Sequence, residues 1–128
     1  MIIEQSRRES PREACGMIGG HKQTATHVYQ TENSDTSEIT YKIDPSETFN
    51  VIRKMRSDQV DFIASYHSHP ATEAYPSPTD IREAGDLELI YVICSLRDKN
   101  VPRIRAFKIA ESRSVQELQV QIGGVLSR

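Results

Sequence analysis

Two histidines one residue apart, His67 and His69, mark the segment of this chain whose residue types could do chemistry. In an extended strand, residues i and i+2 point to the same face. The two imidazoles can therefore stand side by side, and Pro70 stops the strand just beyond them. A carboxylate arriving from the next element, Asp80 of Ser77-Pro78-Thr79-Asp80, could complete a three-ligand site. A catalytic zinc takes that arrangement, with three protein ligands and an open fourth position for water. Such a metal lowers the pKa of a water from about 15.7 to about 7 and polarises a carbonyl oxygen. A plainer reading stands beside this one. A lone His-x-His is a weak signal, and Ser77 to Asp80 also reads as a helix start. Ser would be the N-cap, Pro the first helical residue and the acid the third. Asp80 would then bind backbone amides and no metal. That reading leaves the histidine pair unexplained, and the two can coexist.

Something must hold these residues in place, and the surrounding pattern is that of a sheet with helices. Residues 1–9 fit a short helix ended by Pro11, and Ala14 to Gly20 an apolar, Gly-rich buried strand entered just after Glu13. Thr24 to Thr31 alternates as a strand, Asn33 to Ser37 is a polar loop, and Ile39 to Ile43 alternates again. Asp44-Pro45 opens a helix over 45–57. It carries Phe49, Ile52, Arg53 and Arg56 near helical spacing and Val51 and Met55 as a second apolar pair. Val60 to Tyr66 is a strand running into the histidine pair, and Pro78 to Leu87 a helix. Leu89 to Ser95 and Ile104 to Ala110 are further strands, and Val115 to Ile122 a one-sided edge strand. The sum is a mixed sheet with two or three helices, α/β or α+β in class, and strand order is left open.

The bulk numbers set bounds. The 128 residues fit a single domain, 1–128, with 37% hydrophobic and 27% charged residues. A net charge of -2 gives no basic field for nucleic acid, and Arg7, Arg8 and Arg12 are interleaved with Glu4, Glu9 and Glu13. No apolar run approaches the roughly 20 residues of a membrane span, and the N-terminus turns polar too soon for a signal peptide. Two distant cysteines, Cys15 and Cys94, make neither a disulfide scaffold nor a C-x-x-C pair, so a reducing cytoplasm is expected. Cys15 reads as a buried, inert thiol and Cys94 as core. His21 and His27 need no metal.

The segment from His67 to Asp80 reads His-x-His-Pro, six residues, then Ser-x-x-Asp, and upstream stands Glu13-Ala14-Cys15-Gly16. In these two motifs the chain resembles the JAMM (MPN+) metallopeptidases, across almost its whole length. The resemblance implies a cytidine-deaminase-like α/β fold with a mixed β-sheet flanked by helices. It also implies one zinc ion per chain on His67, His69 and Asp80. Glu13 would then hold the attacking water, take its proton and pass it to the leaving amine. Ser77 would donate a hydrogen bond to the oxyanion. The general chemistry agrees. A carboxylate off the metal is the usual proton shuttle, and one donor aimed at developing charge is worth on the order of 2.7–4 kcal/mol.

The same resemblance implies a substrate: the amide after the C-terminal Gly-Gly of a ubiquitin-like or sulfur-carrier protein. Its tail would lie in a groove by strand addition. The 33–44 segment and the 70–76 loop flank the motif and are the candidate walls, with Tyr75 and Pro76 shaping the loop that delivers Ser77. Ser68 faces away from the histidines and could still support them by a hydrogen bond. The short chain favours a prokaryotic-type enzyme acting on a sulfur carrier, releasing either an amino acid or a protein, and leaves a homodimer open. Two other readings stand below it. One is a non-catalytic module binding ubiquitin-like tails, which loss of Glu13 or a ligand would mark. The other keeps zinc hydrolysis but changes the substrate, such as a peptide or nucleotide-derived amide, and a deaminase would carry Pro-Cys-x-x-Cys. Neither mark is in the sequence.

Overall fold

The computed structural model describes residues 1–85 and 89–121. Along the chain run α1 (Ile2–Glu9), β1 (Cys15–His21), β2 (Thr24–Thr31), α2 (Pro45–Ser57) and β3 (Asp61–His69). After them come α3 (Pro78–Arg82), β4 (Ile90–Ser95), β5 (Arg103–Ile109) and β6 (Val115–Leu118). The described strands form one six-stranded sheet in the order β2-β1-β3-β4-β5-β6. Every neighbouring pair is antiparallel except β3 and β4, which run parallel.

That single parallel step positions the site. A parallel connection must cross over, so the chain leaves the end of β3 through the 70–76 loop and α3. Those elements are thereby laid over the strand end that carries His67 and His69. On the other side of β3, antiparallel β1 begins where β3 ends, with Cys15 opposite His67. Two residues outward in that register, Glu13 comes opposite His69. The central strand thus receives a carboxylate from each side.

Alternation along the strands divides the core between two faces. Met17 packs with Val51 and Met55 of α2, and Tyr29, Ile43, Val60 and Phe62 close round them. On the opposite face Ile18, Ala64 and Tyr66 pack with Ile2 of α1. Gly16 is required there. A Cβ on it would lie 2.3 Å from the Tyr66 ring, whose hydroxyl donates to the buried Gln5 amide oxygen. Of the two apolar stripes on α2, Val51 and Met55 are buried, while Phe49 and Ile52 remain exposed.

Three sequence expectations are corrected. Ile39 to Ile43 forms no strand: Asn33 Oδ1 takes the Lys42 N–H, and the Lys42 carbonyl accepts from the Ser34 N–H. Its alternation still serves packing, with Tyr41 and Ile43 turned inward and Ile39 77% exposed. The helix from Pro78 ends at Arg82, where the N–H of the C-cap Glu83 closes onto the Thr79 carbonyl; Leu87 lies outside the described residues. The terminal strand lies at the sheet edge as expected but stops at Leu118, and Ile122 lies outside the described residues.

Candidate metal centre

His67 and His69 share the sheet face that carries Met17, and both are buried, at 2% and 3% exposure. Asp80 reaches them from the first turn of α3. Its Oδ2 lies 3.0 Å from His67 Nε2 and 3.1 Å from His69 Nε2, and the two Nε2 atoms are 3.2 Å apart. Three ligand-type atoms therefore face a common centre. Tetrahedral zinc with bonds of ~2.1 Å would hold such atoms roughly 3.4 Å apart, so the triangle needs to open by only a few tenths of an ångström. The donor set of two imidazoles and a carboxylate fits zinc, and also other divalent metals.

The helix-cap reading of Asp80 holds as well. Ser77 Oγ accepts from the Asp80 N–H at 3.0 Å, and Asp80 Oδ2 accepts from the Ser77 N–H at 2.9 Å. The same Oδ2 thus caps a helix and points at both histidines. Because the Ser77 oxygen accepts the Asp80 N–H, the hydroxyl proton is left to be donated outward. Burial alone would raise the Asp80 carboxyl. Hydrogen bonds from both histidines and from the Ser77 amide instead hold it well below the usual carboxylate range.

The imidazoles are tuned by their surroundings. Burial lowers His67 and favours its neutral form, the one that ligates metal. Burial pulls His69 the same way, but its hydrogen bonds to Asp80 and to the Glu73 carbonyl outweigh this and raise it. His69 Nδ1 donates to the Glu73 carbonyl at 2.9 Å, so a neutral His69 with its proton there would offer a metal the Nε2 lone pair in place of the Nε2–H that Asp80 accepts. The 70–76 loop thus sets a tautomer. The Tyr41 ring stacks on His67 at 4.5 Å between centroids, and its hydroxyl bonds Ser65 on the same strand.

Glu13 completes the group. A carboxylate oxygen of Glu13 lies within 4.8 Å of the ligand-type nitrogens of His67 and His69, so this trio too has metal-site geometry. Two carboxylates thus flank the histidine pair, Asp80 with its Oδ2 at 3.0 and 3.1 Å and Glu13 within 4.8 Å. Burial pushes the Glu13 carboxyl up to about 7, with His69 pulling it down and Asp80 pushing it up. Among the described residues, Glu13 Oε1 and His67 Nδ1 are the buried side-chain polar atoms without a hydrogen-bond partner. Such atoms are rare in folded proteins and mark places where something other than packing is served.

Each residue singled out in the sequence has a definite place. Glu13, His67, His69, Ser77 and Asp80 come together at one end of β3. Cys15 and Cys94 are buried free thiols; Cys15 lies opposite His67 in the strand register with its Sγ 3.4 Å from Thr31 Oγ1, and burial pushes it up to about 11. Ser68 points to the other face, where its Oγ accepts the Ala14 N–H at 2.7 Å and its own N–H reaches the Ala14 carbonyl. Beside the centre, a cavity of about 150 Å³ is lined by Thr40 and Tyr41 of the 33–44 segment, Pro76 of the 70–76 loop, and Tyr91 and Ile93 of β4. Sequence reasoning missed Tyr41 and Asn33. The inward phase of the Ile39 to Ile43 alternation was the available signal for the first; the second carried none.

Comparisons with known proteins fit this geometry. Residues 1–110 match the family model described as prokaryotic homologs of the JAB domain. The chain is 34% identical over 119 residues to the CysO-cysteine peptidase of Mycobacterium tuberculosis, covering 91% of this chain and 81% of that protein. It is 31% identical over 119 residues to a Thermus thermophilus protein named probable TtuB-protein conjugate cleaving protease, covering 89% and 76%. Among solved structures, protein DSY2949 from Desulfitobacterium hafniense superposes with a TM-score of 0.85 at 33% identity, covering 93% and 84%.

Proposed function

The chain belongs to the prokaryotic JAB family, a branch of the JAMM/MPN proteins, and from that footing we propose that it is a zinc-dependent peptidase. It hydrolyses the amide bond after the C-terminal Gly-Gly of a ubiquitin-like or sulfur-carrier protein, acting as a single domain in the cytoplasm. The observation that carries this reading is the convergence of His67, His69 and Asp80 on one point with Glu13 beside it. The names of the two relatives support the substrate, one being a peptidase for a carrier–cysteine adduct and the other a protease for a protein conjugate.

His67, His69 and Asp80 would hold one zinc ion, which supplies Lewis acidity toward a water and the scissile carbonyl. Glu13 takes the proton of the attacking water at its carboxylate and delivers it to the leaving nitrogen. Burial sets the Glu13 carboxyl at about 7, and a cation held by its neighbours would favour the carboxylate form that acts as a base at neutral pH. Ser77 donates its free hydroxyl proton to the oxygen where negative charge develops. The cavity walls at Tyr41 and Pro76 exclude bulk water, which strengthens each of these interactions. Glycine suits the tail because a side chain would block close approach to the ligands.

Metal analysis and cleavage measured together test the proposal. Wild type and Glu13→Ala are compared on a sulfur-carrier protein joined through its C-terminal Gly-Gly to a reporter. About one zinc per chain in both proteins, with cleavage in wild type alone, is the expected result. No zinc in either protein would overturn the ligand assignment, and cleavage by Glu13→Ala at the wild-type rate would overturn the base. Sedimentation of the purified protein decides between monomer and homodimer.

A further inference from the structure

Glu13 stands just ahead of the sheet. The ladder begins at Cys15, paired with Thr31 on one side and His67 on the other, so strand pairing does not fix the backbone at residue 13. A general base needs its carboxylate held to a fraction of an ångström. The Glu13 side chain has no such tether, since Oε1 lacks a partner among the described residues. Its position must come from the peptide groups on either side.

Two side chains from distant segments do that work. On the far side, Ser68 fixes Ala14 through both its hydroxyl and its N–H. On the near side, Asn33 Nδ2 donates to the Glu13 carbonyl at 2.9 Å. Asn33 is 7% exposed, and its amide is fully used. Nδ2 also donates to the Thr40 carbonyl at 3.3 Å, while Oδ1 accepts from the N–H groups of Asp35 at 2.9 Å and Lys42 at 3.0 Å. Two donors and two acceptors are the whole capacity of an asparagine amide. Its backbone is engaged too, with Arg12 Nη2 donating to the Asn33 carbonyl at 2.7 Å. The acceptor half of the side chain closes the 33–42 loop on itself, and the donor half straps that loop to Glu13. The same loop carries Tyr41 onto His67.

We propose that Asn33 is the positioning residue of the catalytic base, a clamp that joins the Glu13 backbone and the Tyr41-bearing loop into one rigid piece. The proposal rests on the reading of Glu13 as the base. It assigns Asn33 no contact with substrate or metal.

The two halves of the amide can be tested separately. Asn33→Asp keeps the acceptors for Asp35 and Lys42 and removes the donors to Glu13 and Thr40. On the Gly-Gly reporter fusion it is expected to lower kcat about 10–100-fold, with KM within about threefold and zinc still near one per chain. Amide exchange should quicken at Ala14 and stay slow at Lys42. Asn33→Ala removes both halves, so exchange at Lys42 quickens as well and KM rises. In a Glu13→Gln background, Asn33→Asp should lower the residual rate no further, because groups acting as one unit are not additive. Wild-type kcat in a folded Asn33→Asp, or an undiminished further loss in the Glu13→Gln background, would overturn the clamp. If zinc-loaded wild type fails to cleave the fusion, the base reading falls, and exchange at Ala14 decides Asn33 alone. Quickening there supports the clamp, and an unchanged rate overturns it.

Discussion

The β1–β3 pair has two ends that share one sheet face and obey opposite rules. At one end Met17, Val51 and Met55 are buried among Tyr29, Ile43, Val60 and Phe62. Nothing there lacks a partner of its own kind, and burying each such side chain contributes about 1.5–3 kcal/mol. At the other end Glu13, His67 and His69 are equally buried, at 4%, 2% and 3% exposure. The two Nε2 atoms crowd one another and Asp80, His69 Nδ1 bonds the Glu73 carbonyl, and Glu13 Oε1 and His67 Nδ1 have no partner. Burying polar groups on such terms costs stability. A chain tolerates it where the arrangement serves chemistry, so the apolar end carries the stability that the polar end costs. Substitutions at the polar end should then cost activity and spare the fold, while those at the apolar end do the reverse.

The sharpest break in that symmetry is Glu13→Gln. Loss of a general base lowers kcat about 10²–10⁴-fold, while the zinc content stays near one per chain and the melting temperature does not fall. A Glu13→Gln protein that melts well below wild type would show that the carboxylate supports the fold. Ser77→Ala comes next and belongs to both categories. As an oxyanion donor its loss lowers kcat roughly 10²–10³-fold, and as the N-cap of α3 its loss costs about 1 kcal/mol. Thermal melts and steady-state kinetics on the same preparation separate the two. At the apolar end, Met55→Ala costs about 2–5 kcal/mol of stability, with kcat per folded molecule unchanged.

How much of this was legible in the sequence follows the same division. His67, His69, Ser77 and Asp80 lie within fourteen residues, and their spacing survives because strand and helix geometry is local. The capping box of α3 was equally readable, since the donor and acceptor are three residues apart. The strand expected at Ile39 to Ile43 failed because its alternation is met by a loop: the neighbours of Lys42 are Ser34 and Asn33, not a strand. Asn33 itself reads as a turn residue. Its tie to Glu13 spans twenty positions, and no periodicity announces it. The parallel placement of β4 beside β3, which lays α3 over the histidines, is likewise a tertiary fact.

pH sharpens the comparison for the metal-free protein. Burial raises the Glu13 carboxyl from its ordinary 4.5 to about 7, so between these values the folded chain binds this proton and the unfolded chain does not. Stability therefore falls as pH rises through that window. Asp80 acts in the other direction and lower down. Its depressed pKa gives stability that is present above the unfolded value near 3.8 and is lost as pH falls below it. In EDTA, the urea midpoint of Glu13→Gln relative to wild type should increase between pH 5 and pH 7.5. A constant difference would mean that Glu13 has an ordinary pKa and is not desolvated.

The smallest effect tests how α2 divides between the two regions. Ile52 and Met55 are three residues apart on one helix, both apolar and with similar claims on the core from sequence alone. Met55 is 2% exposed and packs on Met17, while Ile52 is 37% exposed on the solvent side. Truncating an exposed side chain away from special features shifts stability by about 0.5 kcal/mol or less. Ile52→Ala should therefore leave the urea midpoint close to wild type, where Met55→Ala moves it far. Equal losses at the two positions would mean that α2 is rotated about its axis from the orientation described. Ile43 would then lose the Val51 and Met55 surface it packs against, and with it the loop that covers His67 would lose its footing.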